Sequence, residues 1–359
     1  MKLLRGLTVL SFAFLSLGLP ATQGHASEPD AHQSAVIAQQ MQRYEGRVPG
    51  AALLVIQDGQ PIVSRGFGLA NLEEGRSVTP QSNFRLASIT KQFTAASILL
   101  LAEDGKLGLD DPVKRWLPSL PAAADAITLR QLLSHTSGLI DYEDVMPADF
   151  SGQLHDIDVL HILEGQDRTY FAPGTSYRYS NSGYALLALI VGKASGQDFA
   201  SFLRQRIFLP LGMQHSVALE EGRSRVVNRA YGYTETDGHW QRTDQSSTSA
   251  VLGDGGIYSS LEDLARWDAA LYDERLLKST SLKQAFSAAT RTDEPHVPYY
   301  GFGWRIDGDT LWHSGESIGF RNVILRFPKE RLTVLLLSNR NDPEPYATAS
   351  AIAEAFRQH

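Results

Sequence analysis

The stretch FRLASITKQFTAASILLLAEDG, residues 84–105, predicts a helix buried in the core of a folded domain. Ala95, Ala96 and the block 98–102 are apolar and surround the whole helix rather than forming one stripe, as in helices enclosed by other elements. Gly105 follows as a natural end of the helix, because glycine readily adopts the left-handed conformation of a C-terminal cap. Ser88 is therefore expected at the head of a core helix.

Ser88 and Lys91 are three residues apart, so on a helix they share one face. A neighbouring ammonium group and the free N–H groups of a first helical turn favour deprotonation of a hydroxyl and stabilise a developing oxyanion. Ser88 is therefore a candidate nucleophile with Lys91 as its partner. Taken alone, the motif is a weak signal, because both residues are common and a capping serine beside a solvated lysine is the more ordinary interpretation. Of the eight lysines, only Lys91 follows a serine by three residues.

The first 26 residues are typical of a secretory signal peptide. Lys2 and Arg5 precede an apolar stretch over residues 7–19, and a small-x-Ala cleavage site ends at Ala26. The apolar stretch is short for a membrane span, and no later segment reaches about 18 uninterrupted apolar residues. We expect an exported protein, periplasmic or extracellular after cleavage, with no stable membrane insertion.

The composition excludes several classes of protein. The chain has no cysteine, which excludes disulfides, thiol catalysis and a lipid-modified cysteine. Loss of Lys2 and Arg5 on cleavage changes the formal charge from −7 to −9, and no basic run reaches five residues, so nucleic acid is not an expected partner. The ten histidines show no His-x-x-x-His spacing, and we expect neither a metal nor another cofactor. The sequence does not indicate an oligomeric state.

Strand-like runs lie at both ends of the chain, with helical patterns between them. The first two runs, 51–57 and 62–69, are separated by Asp58-Gly59, a dipeptide typical of hairpin turns. In the middle, Thr128-x-x-Gln131 and Ser259-x-x-Glu262 predict helix starts. The later elements are four strand-like runs and one helix: 300–306, 310–313, 322–327, 332–338 and 346–356.

These runs predict an α/β fold of the α+β type, because N- and C-terminal strands form one antiparallel sheet most economically when the chain ends meet. We expect a signal peptide over 1–26 and a single domain over 27–359. Its sheet comes from about 27–78 and 295–359, is flanked by helices, and has a mostly helical lobe of about 79–294 inserted into it. The acidic segment from Asp141 to Asp167 is either a loop over a cleft or solvated surface.

Tyr179 and Asn181, in the run Tyr179-Ser-Asn181, precede an apolar helix over about 185–194. A phenol is a poor base at neutral pH, but a nearby ammonium such as that of Lys91 favours the phenolate. The alternative is a buried tyrosine with a bonded hydroxyl and an asparagine that caps the helix. Of the thirteen tyrosines, only Tyr179 precedes an asparagine by two residues.

The run Trp312-His313-Ser314-Gly315-Glu316 is typical of the end of a strand. Alternation directs His313 to one face of the sheet, and Gly315 allows a ligand or another backbone to come close. The combination suits an edge that binds an extended substrate. On its own, a histidine is more often a core or surface residue than a catalytic one.

The order Ser-x-x-Lys, Tyr-x-Asn, His-Ser-Gly resembles that of the penicillin-recognising serine hydrolases, which include class C β-lactamases, D-Ala-D-Ala carboxypeptidases and related esterases. The likeness extends over nearly all of residues 30–355. Accessory stretches resemble the family as well: 109–113, 132–139, 210–213 and 255–259.

The resemblance implies a role for each matching residue. Ser88 would be the acylated nucleophile, and Lys91 and Tyr179 would share the proton transfer, with the base left open between them. Asn181 would hold the substrate carbonyl. The backbone N–H groups of Ser88 and Glu316 would form the oxyanion hole, and the run from His313 through Ser314 and Gly315 would line the bound substrate.

The sequence departs from the β-lactamase pattern at His313, where most such enzymes have the lysine of a Lys-Thr-Gly triplet. A lysine stays cationic at neutral pH and attracts a substrate carboxylate, whereas a histidine is mostly neutral there. The departure favours a secreted serine hydrolase that acts through an acyl-enzyme on a D-amino-acid peptide or a small ester. The alternatives are a β-lactamase and a sensor that is acylated without turnover.

Other residues suggest competing interpretations. Gly315-Glu-Ser317-Ile-Gly319 matches the nucleophile elbow of α/β-hydrolases, but that elbow joins a strand to a helix, and residues 320–327 are strand-like. His135 is expected to end a helix rather than to act in catalysis. Three arginines flank the motifs and either bind a carboxylate or are ordinary surface charges: Arg85, Arg178 and Arg321.

Overall fold

The computed structural model of the protein describes residues 28–147 and 150–357. The predicted signal peptide, 1–26, lies outside the described residues. In chain order the strands are β1 (Ala51–Gln57), β2 (Gln60–Phe67), β3 (Leu69–Asn71), β4 (Arg76–Ser77), β5 (Phe84–Arg85), β6 (Val217–Ala218), β7 (Tyr233–Thr236), β8 (His239–Arg242), β9 (Ile257–Ser259), β10 (Thr290–Arg291), β11 (Tyr299–Tyr300), β12 (Arg305–Asp307), β13 (Thr310–Ser317), β14 (Phe320–Phe327) and β15 (Leu332–Ser338).

The main sheet has eight antiparallel strands in the order β10-β11-β12-β13-β14-β15-β1-β2. Strand β1 pairs with the C-terminal β15 on one side and with β2 on the other, so the two ends of the chain meet in one sheet. This arrangement confirms the predicted fold class. It places β13, which carries His313 and Gly315, near the middle of the sheet.

The side chains of β1 alternate between two hydrophobic clusters, which explains why the whole strand is apolar. Ala51, Leu53 and Val55 pack with residues of α1 and α12. Ala52, Leu54 and Ile56 face the larger cluster that contains α2 and α6. The helices are α1 (Ala31–Met41), α2 (Thr90–Glu103), α3 (Leu129–Leu133), α4 (Tyr142–Val145), α5 (Asp156–Glu164), α6 (Asn181–Ser195), α7 (Phe199–Leu203), α8 (Leu209–Leu211), α9 (Leu252–Gly255), α10 (Leu261–Ala270), α11 (Ser279–Ala285) and α12 (Pro345–Arg357).

Helix α2 is buried from Thr90 to Leu101, as its apolar composition predicts. It packs against α6 and α9. Among the described residues no single helix has both the length and the apolar composition to cross a membrane, although α6 taken with the bent segment Phe199–Leu211 meets both criteria as a pair.

Several local expectations are corrected. Helix α10 is capped by Ser260, whose side chain accepts a hydrogen bond from the N–H of Asp263, whereas Ser259 ends β9. The acidic segment is not one loop, because it contains α4 and α5. Strands β5, β9 and β6 form a small sheet inside the region expected to be helical.

The expected strand 300–306 is split between β11 and β12. Gly303 has φ +77°, and a Cβ there would lie 2.8 Å from the carbonyl oxygen of Lys91, so the backbone bends where it touches α2. Strand β13 also continues to Ser317, beyond the predicted end of the run 310–313.

Candidate active site

Ser88 lies in a single 3₁₀ turn, Ala87–Ile89, that leads directly into α2. Ala87 has φ +50°, a left-handed conformation that is uncommon for alanine and that forms part of the turn presenting Ser88. Lys91, in the first turn of α2, is fully buried. Its Nζ lies 3.1 Å from Ser88 Oγ, so a proton can pass between the two groups through one hydrogen bond.

Lys91 Nζ is held by three acceptors, which matches the three donors of an ammonium group. Besides Ser88 Oγ, these are Asn181 Oδ1 at 2.8 Å and the backbone oxygen of Asp254 at 3.0 Å. Asn181 is the first residue of α6, and Asp254 lies in the short helix α9. The first turns of α2 and α6 and the backbone of α9 therefore meet at one amine.

Two aspartates of the acidic segment hold α6 and α9 in place. Asp141 Oδ2 accepts hydrogen bonds from the backbone N–H groups of Asn181 at 2.6 Å and Ser182 at 3.3 Å. Asp156 accepts from the N–H groups at the start of α9, those of Leu252 at 3.0 Å and Gly253 at 2.9 Å. Both carboxylates are buried. The segment thus reaches inward, and each aspartate supports one acceptor of Lys91.

Tyr179 lies beside the amine and packs on a histidine. Its ring centroid is 4.9 Å from Lys91 Nζ, within the range of a cation–π contact. On another side, the ring of His135 lies 4.3 Å from that of Tyr179. The N–H of Ser180 donates to His135 Nδ1 at 3.1 Å, which requires a proton on Nε2 if the ring is neutral. Burial and nearby Lys91 hold the pKa of His135 well below its ordinary value.

His313 is buried in β13 and is bonded on both ring nitrogens. Nδ1 lies 2.5 Å from the carbonyl oxygen of Ser314 and must donate, so Nε2 accepts from the hydroxyl of Tyr300 at 2.9 Å. Burial and the nearby guanidinium of Arg305 lower the pKa of His313 well below its ordinary value. The imidazole is therefore neutral. Contact between His313 and substrate stays a prediction.

Arg305, on the neighbouring strand β12, places a positive charge beside this part of β13. Arg305 Nη1 donates to Ser314 Oγ at 3.2 Å, and Nη2 lies 3.4 Å from Glu294 Oε2. Its guanidinium also lies 5.8 Å from the ring centroid of Tyr179. A cation therefore stands near the position where the sequence has histidine in place of lysine.

Gly315 allows β13 to lie against the turn that carries Ser88. A Cβ at Gly315 would lie 2.0 Å from the carbonyl oxygen of Leu86, a distance that no side chain tolerates. Strand β14 also contacts the chain just before Ser88, because Asn322 Nδ2 donates a hydrogen bond to the carbonyl oxygen of Arg85 at 2.8 Å. Glu316 follows Gly315 and lines the same cavity as Ser88.

That cavity measures about 150 Å³ and carries charge of both signs. Its lining includes Arg85, Ser88, Glu143, Asp254, Gly255 and Glu316. Burial is the largest cause that raises the pKa of Asp254, to about 7, and nearby Lys91 opposes it. Burial also raises the pKa of Glu143. Within the described residues no group of three or more His, Asp or Glu side chains is arranged to hold a metal ion.

Several residues of the site were not singled out by sequence reasoning. The sequence predicts only that His135 ends a helix, and it places Asp141 and Asp156 in an acidic segment that is either a loop over a cleft or solvated surface. Asp254 adjoins the accessory stretch 255–259, and that resemblance is the sequence signal that could have drawn attention to Asp254. The partners of the two aspartates lie 40 and about 97 positions away, so no local pattern could have indicated them.

The fold and the site together define a serine hydrolase of the β-lactamase and transpeptidase fold. The family model "Beta-lactamase" matches residues 34–358, and the chain belongs to this family. The resemblance found in the motifs is thereby confirmed.

Relatives of known name agree with this assignment. The chain is 35% identical over 316 residues to penicillin-binding protein 4* of Bacillus subtilis, a match that covers 83% of this chain and 69% of that protein. It is 31% identical over 317 residues to the D-aminopeptidase of Gluconobacter oxydans, covering 86% of this chain and 59% of that one. The chain therefore spans a little more than half the length of this D-aminopeptidase.

A solved structure shows the same fold. The D-amino acid amidase from Ochrobactrum anthropi SV3, in complex with L-phenylalanine amide, superposes with a TM-score of 0.78 at 25% identity. The superposition covers 90% of this chain and 98% of the amidase.

Proposed function

We propose that this protein hydrolyses D-amino-acid peptides, their amides or small esters through an acyl-enzyme on Ser88. The observation that carries the proposal is the 3.1 Å hydrogen bond between Lys91 Nζ and Ser88 Oγ, with the ring centroid of Tyr179 4.9 Å from the same nitrogen. The names of the D-aminopeptidase and D-amino acid amidase relatives support the choice of D-configured substrates.

The proposed reaction has two steps. Ser88 Oγ attacks the substrate carbonyl and gives its proton to Lys91 or Tyr179, which then protonates the departing amine or alcohol. The backbone N–H groups of Ser88 and Glu316 stabilise the oxyanion, and Asn181 holds the amide or ester. Water then attacks the acyl-Ser88 ester and loses its proton to the same pair of groups, which frees the acid and restores the serine.

The neutral state of His313 favours peptide and ester hydrolysis over efficient β-lactamase activity. A β-lactam carries a carboxylate, and the buried imidazole, bonded to Tyr300 and Ser314, supplies no positive charge for it. Arg305 is near, but part of its charge is opposed by Glu294. We infer slow acylation by β-lactams relative to D-amino-acid derivatives.

A substrate panel tests the proposal. The purified protein is incubated with D-alanine p-nitroanilide, its L-enantiomer, p-nitrophenyl butyrate, a D-Ala-D-Ala peptide and nitrocefin. We expect turnover of the D-anilide or the ester, preference for D over L, and loss of turnover in Ser88→Ala. Ser317→Ala serves as the matched serine control, because Ser317 lines the same cavity. Absence of turnover and of any adduct with every probe would contradict the proposal, and a stable adduct without turnover would favour a sensor.

We also propose export of the protein after cleavage behind Ala26, on the basis of the signal-like N-terminus. The test is the intact mass of the protein recovered from the periplasm or medium of an expressing bacterium. A mature N-terminus at Ser27 supports export, and an uncleaved cytoplasmic chain contradicts it.

A further inference from the structure

Arg85 is a buried arginine whose guanidinium has no partner in the described part of the chain. Its side chain is 3% exposed, and its Nε and Nη1 atoms are buried without a hydrogen bond. No carboxylate of the described residues forms an ion pair with it. A buried, unpaired charge is strongly destabilising, and such groups are normally found with an anion. The fold therefore holds a buried cation that forms no ion pair with any carboxylate of the described residues.

The guanidinium borders the cavity that contains Ser88. Arg85 ends β5, three residues before Ser88, and both residues line the cavity of about 150 Å³. Its Nη2 atom, which is not among its fully enclosed atoms, lies 3.8 Å from the position that a Cβ on Gly255 would occupy. Gly255 itself lines the cavity, so the absence of a side chain there leaves the guanidinium open to a bound molecule.

The carboxylates of the cavity form no ion pair with Arg85, although its positive charge is one of the influences that oppose the raised pKa of Asp254. Glu316 is half-exposed and lies 3.7 Å from Arg321, which is its ion-pair partner. Asp254 Oδ2 accepts a hydrogen bond from the hydroxyl of Tyr142 at 3.3 Å. Glu143 Oε1 also lies 3.3 Å from that hydroxyl and is the alternative acceptor of its single proton. None of the three carboxylates lies within ion-pair distance of the Arg85 guanidinium, so its Nη2 remains available to an anion that enters from outside.

The position of the cavity indicates which part of a substrate reaches Arg85. In the proposed mechanism the leaving group takes its proton from Lys91 or Tyr179, so it lies on their side of Ser88. Tyr179 is absent from the described residues that line the cavity. The cavity therefore receives the acyl part. Its volume of about 150 Å³ is small, which suits a short acyl group.

Building on the proposed function, we propose that Arg85 is a specificity-determining residue that binds the terminal carboxylate of a short, anionic acyl group. The substrate class is half-esters or half-amides of short dicarboxylic acids, including derivatives of acidic D-amino acids that present a side-chain carboxylate. Arginine suits this role because its planar fork of donors matches a carboxylate. In this proposal the neutral His313 provides no positive charge for the leaving group, whereas Arg85 provides one for the acyl group.

The test compares two acyl donors that differ only in charge: the p-nitrophenyl monoester of glutarate and the same ester of glutaramate, in which an amide replaces the free carboxylate. Rates are corrected for spontaneous hydrolysis. We expect the wild type to prefer the carboxylate in kcat/KM by about 10- to 100-fold, as for a hydrogen-bonded charge. In Arg85→Gln the ratio should fall to about 1.

Two further variants keep the test decisive. Arg178→Gln is the matched control, because Arg178 is half-exposed, adjoins Tyr179 and is already paired with Asp144, so the ratio should stay at the wild-type value. Gly255→Ala places a methyl group 3.8 Å from Nη2 and should reduce the ratio with Arg85 intact, even if Arg85→Gln does not fold. A preference that survives in Arg85→Gln, or its absence from the wild type, overturns the proposal.

A binding measurement separates this proposal from the proposed function. Free glutarate should raise the melting temperature of the wild type more than glutaramate does, and this difference should vanish in Arg85→Gln. If neither ester acylates Ser88, the hydrolase proposal fails, but the glutarate difference still supports the subsite. Equal shifts of the melting temperature with the two ligands in the wild type would contradict the carboxylate subsite. They would not bear on the proposal that Ser88 hydrolyses esters.

Discussion

The carboxylate of Asp141 accepts a hydrogen bond from the backbone N–H of Asn181 at 2.6 Å, and Asn181 in turn accepts one from Lys91 Nζ at 2.8 Å. A side chain from the acidic segment thus acts on the amine beside Ser88 through one intermediate residue. Asp141 is a positioning residue, since it touches neither Ser88 nor a place where substrate is expected.

We predict that Asp141→Ala lowers kcat/KM for the best substrate by about 10-fold or more and destabilises the protein by about 1–2 kcal/mol, because two N–H groups at the start of α6 lose their acceptor. Asp198→Ala is the matched control, since Asp198 caps α7 by accepting from the N–H of Ser201 at 2.8 Å, away from Ser88. It should lose similar stability and keep its activity. Equal activity losses in the two variants would contradict the positioning role.

A second prediction concerns the pH dependence of stability and Asp156. Burial raises the pKa of Asp156 to about 6, from an ordinary value of 3.8, although the N–H groups of Gly253 and Leu252 oppose the change. An acid whose pKa is raised by folding binds its proton more tightly in the native state. Its stabilising contribution is complete below the unfolded pKa and is lost as pH rises through the folded one.

The loss amounts to about 3 kcal/mol between pH 4 and pH 7, at about 1.4 kcal/mol per pKa unit. Asp156→Asn removes this titration. The unfolding free energy of the variant, measured by urea denaturation, should therefore rise relative to that of the wild type over this range. Parallel curves for the two proteins would show that Asp156 does not titrate as described.

Gly315 gives a third prediction, because it has no room for a side chain. A Cβ there would lie 2.0 Å from the carbonyl oxygen of Leu86, so Gly315→Ala must push β13 away from the turn that holds Ser88. We expect a loss of about 1–3 kcal/mol, as for overpacked sites, and at least a 100-fold fall in kcat.

Gly165→Ala is the control for Gly315→Ala, since its Cβ would meet its nearest atom, the carbonyl oxygen of Ile162, at 3.5 Å. Activity and melting temperature should stay close to the wild type there. Retention of full activity by Gly315→Ala would mean that β13 does not need to touch the turn.

His135 gives a fourth prediction. Replacement by Phe keeps an aromatic ring against Tyr179 but leaves the N–H of Ser180 without its acceptor, which should cost about 1–3 kcal/mol. Because burial lowers the pKa of His135, the unfolded state binds a proton that the native state excludes, and wild-type stability falls as the pH drops below about 6.5. The variant should lose less stability between pH 7 and pH 5, and an unchanged pH slope would contradict this account.

Much of the fold could be predicted from local patterns in the sequence. The strands β1 and β15 are almost continuous apolar runs, and α2 is apolar all round, so their composition alone predicts buried elements. Asp58-Gly59 is the two-residue turn between β1 and β2. The split of 300–306 could not be predicted, because it depends on the contact of Gly303 with Lys91 and Gln92 in α2, more than 200 positions away.

The site was predicted less completely than the fold. Ser88 and Lys91 are brought together by helix geometry, and Asn181 reaches them because α6 starts there. Their roles in catalysis stay predictions. The supports of the site were not predictable, since Asp141, Asp156 and His135 act on backbone groups far away in the sequence. For Arg85 the sequence leaves open a carboxylate-binding residue or a surface charge, and its burial excludes the surface charge.

Acylation of Ser88 is the most direct test of the central claim. The protein is mixed with p-nitrophenyl butyrate, quenched in acid within the first turnover and digested, and the peptide that contains Ser88 is examined by mass spectrometry. We predict a butyryl group on Ser88 that is absent in Ser88→Ala and forms at least 100-fold more slowly in Lys91→Ala. A butyryl group on Ser317 or elsewhere, or acylation of Ser88 at an unchanged rate without Lys91, would contradict the account.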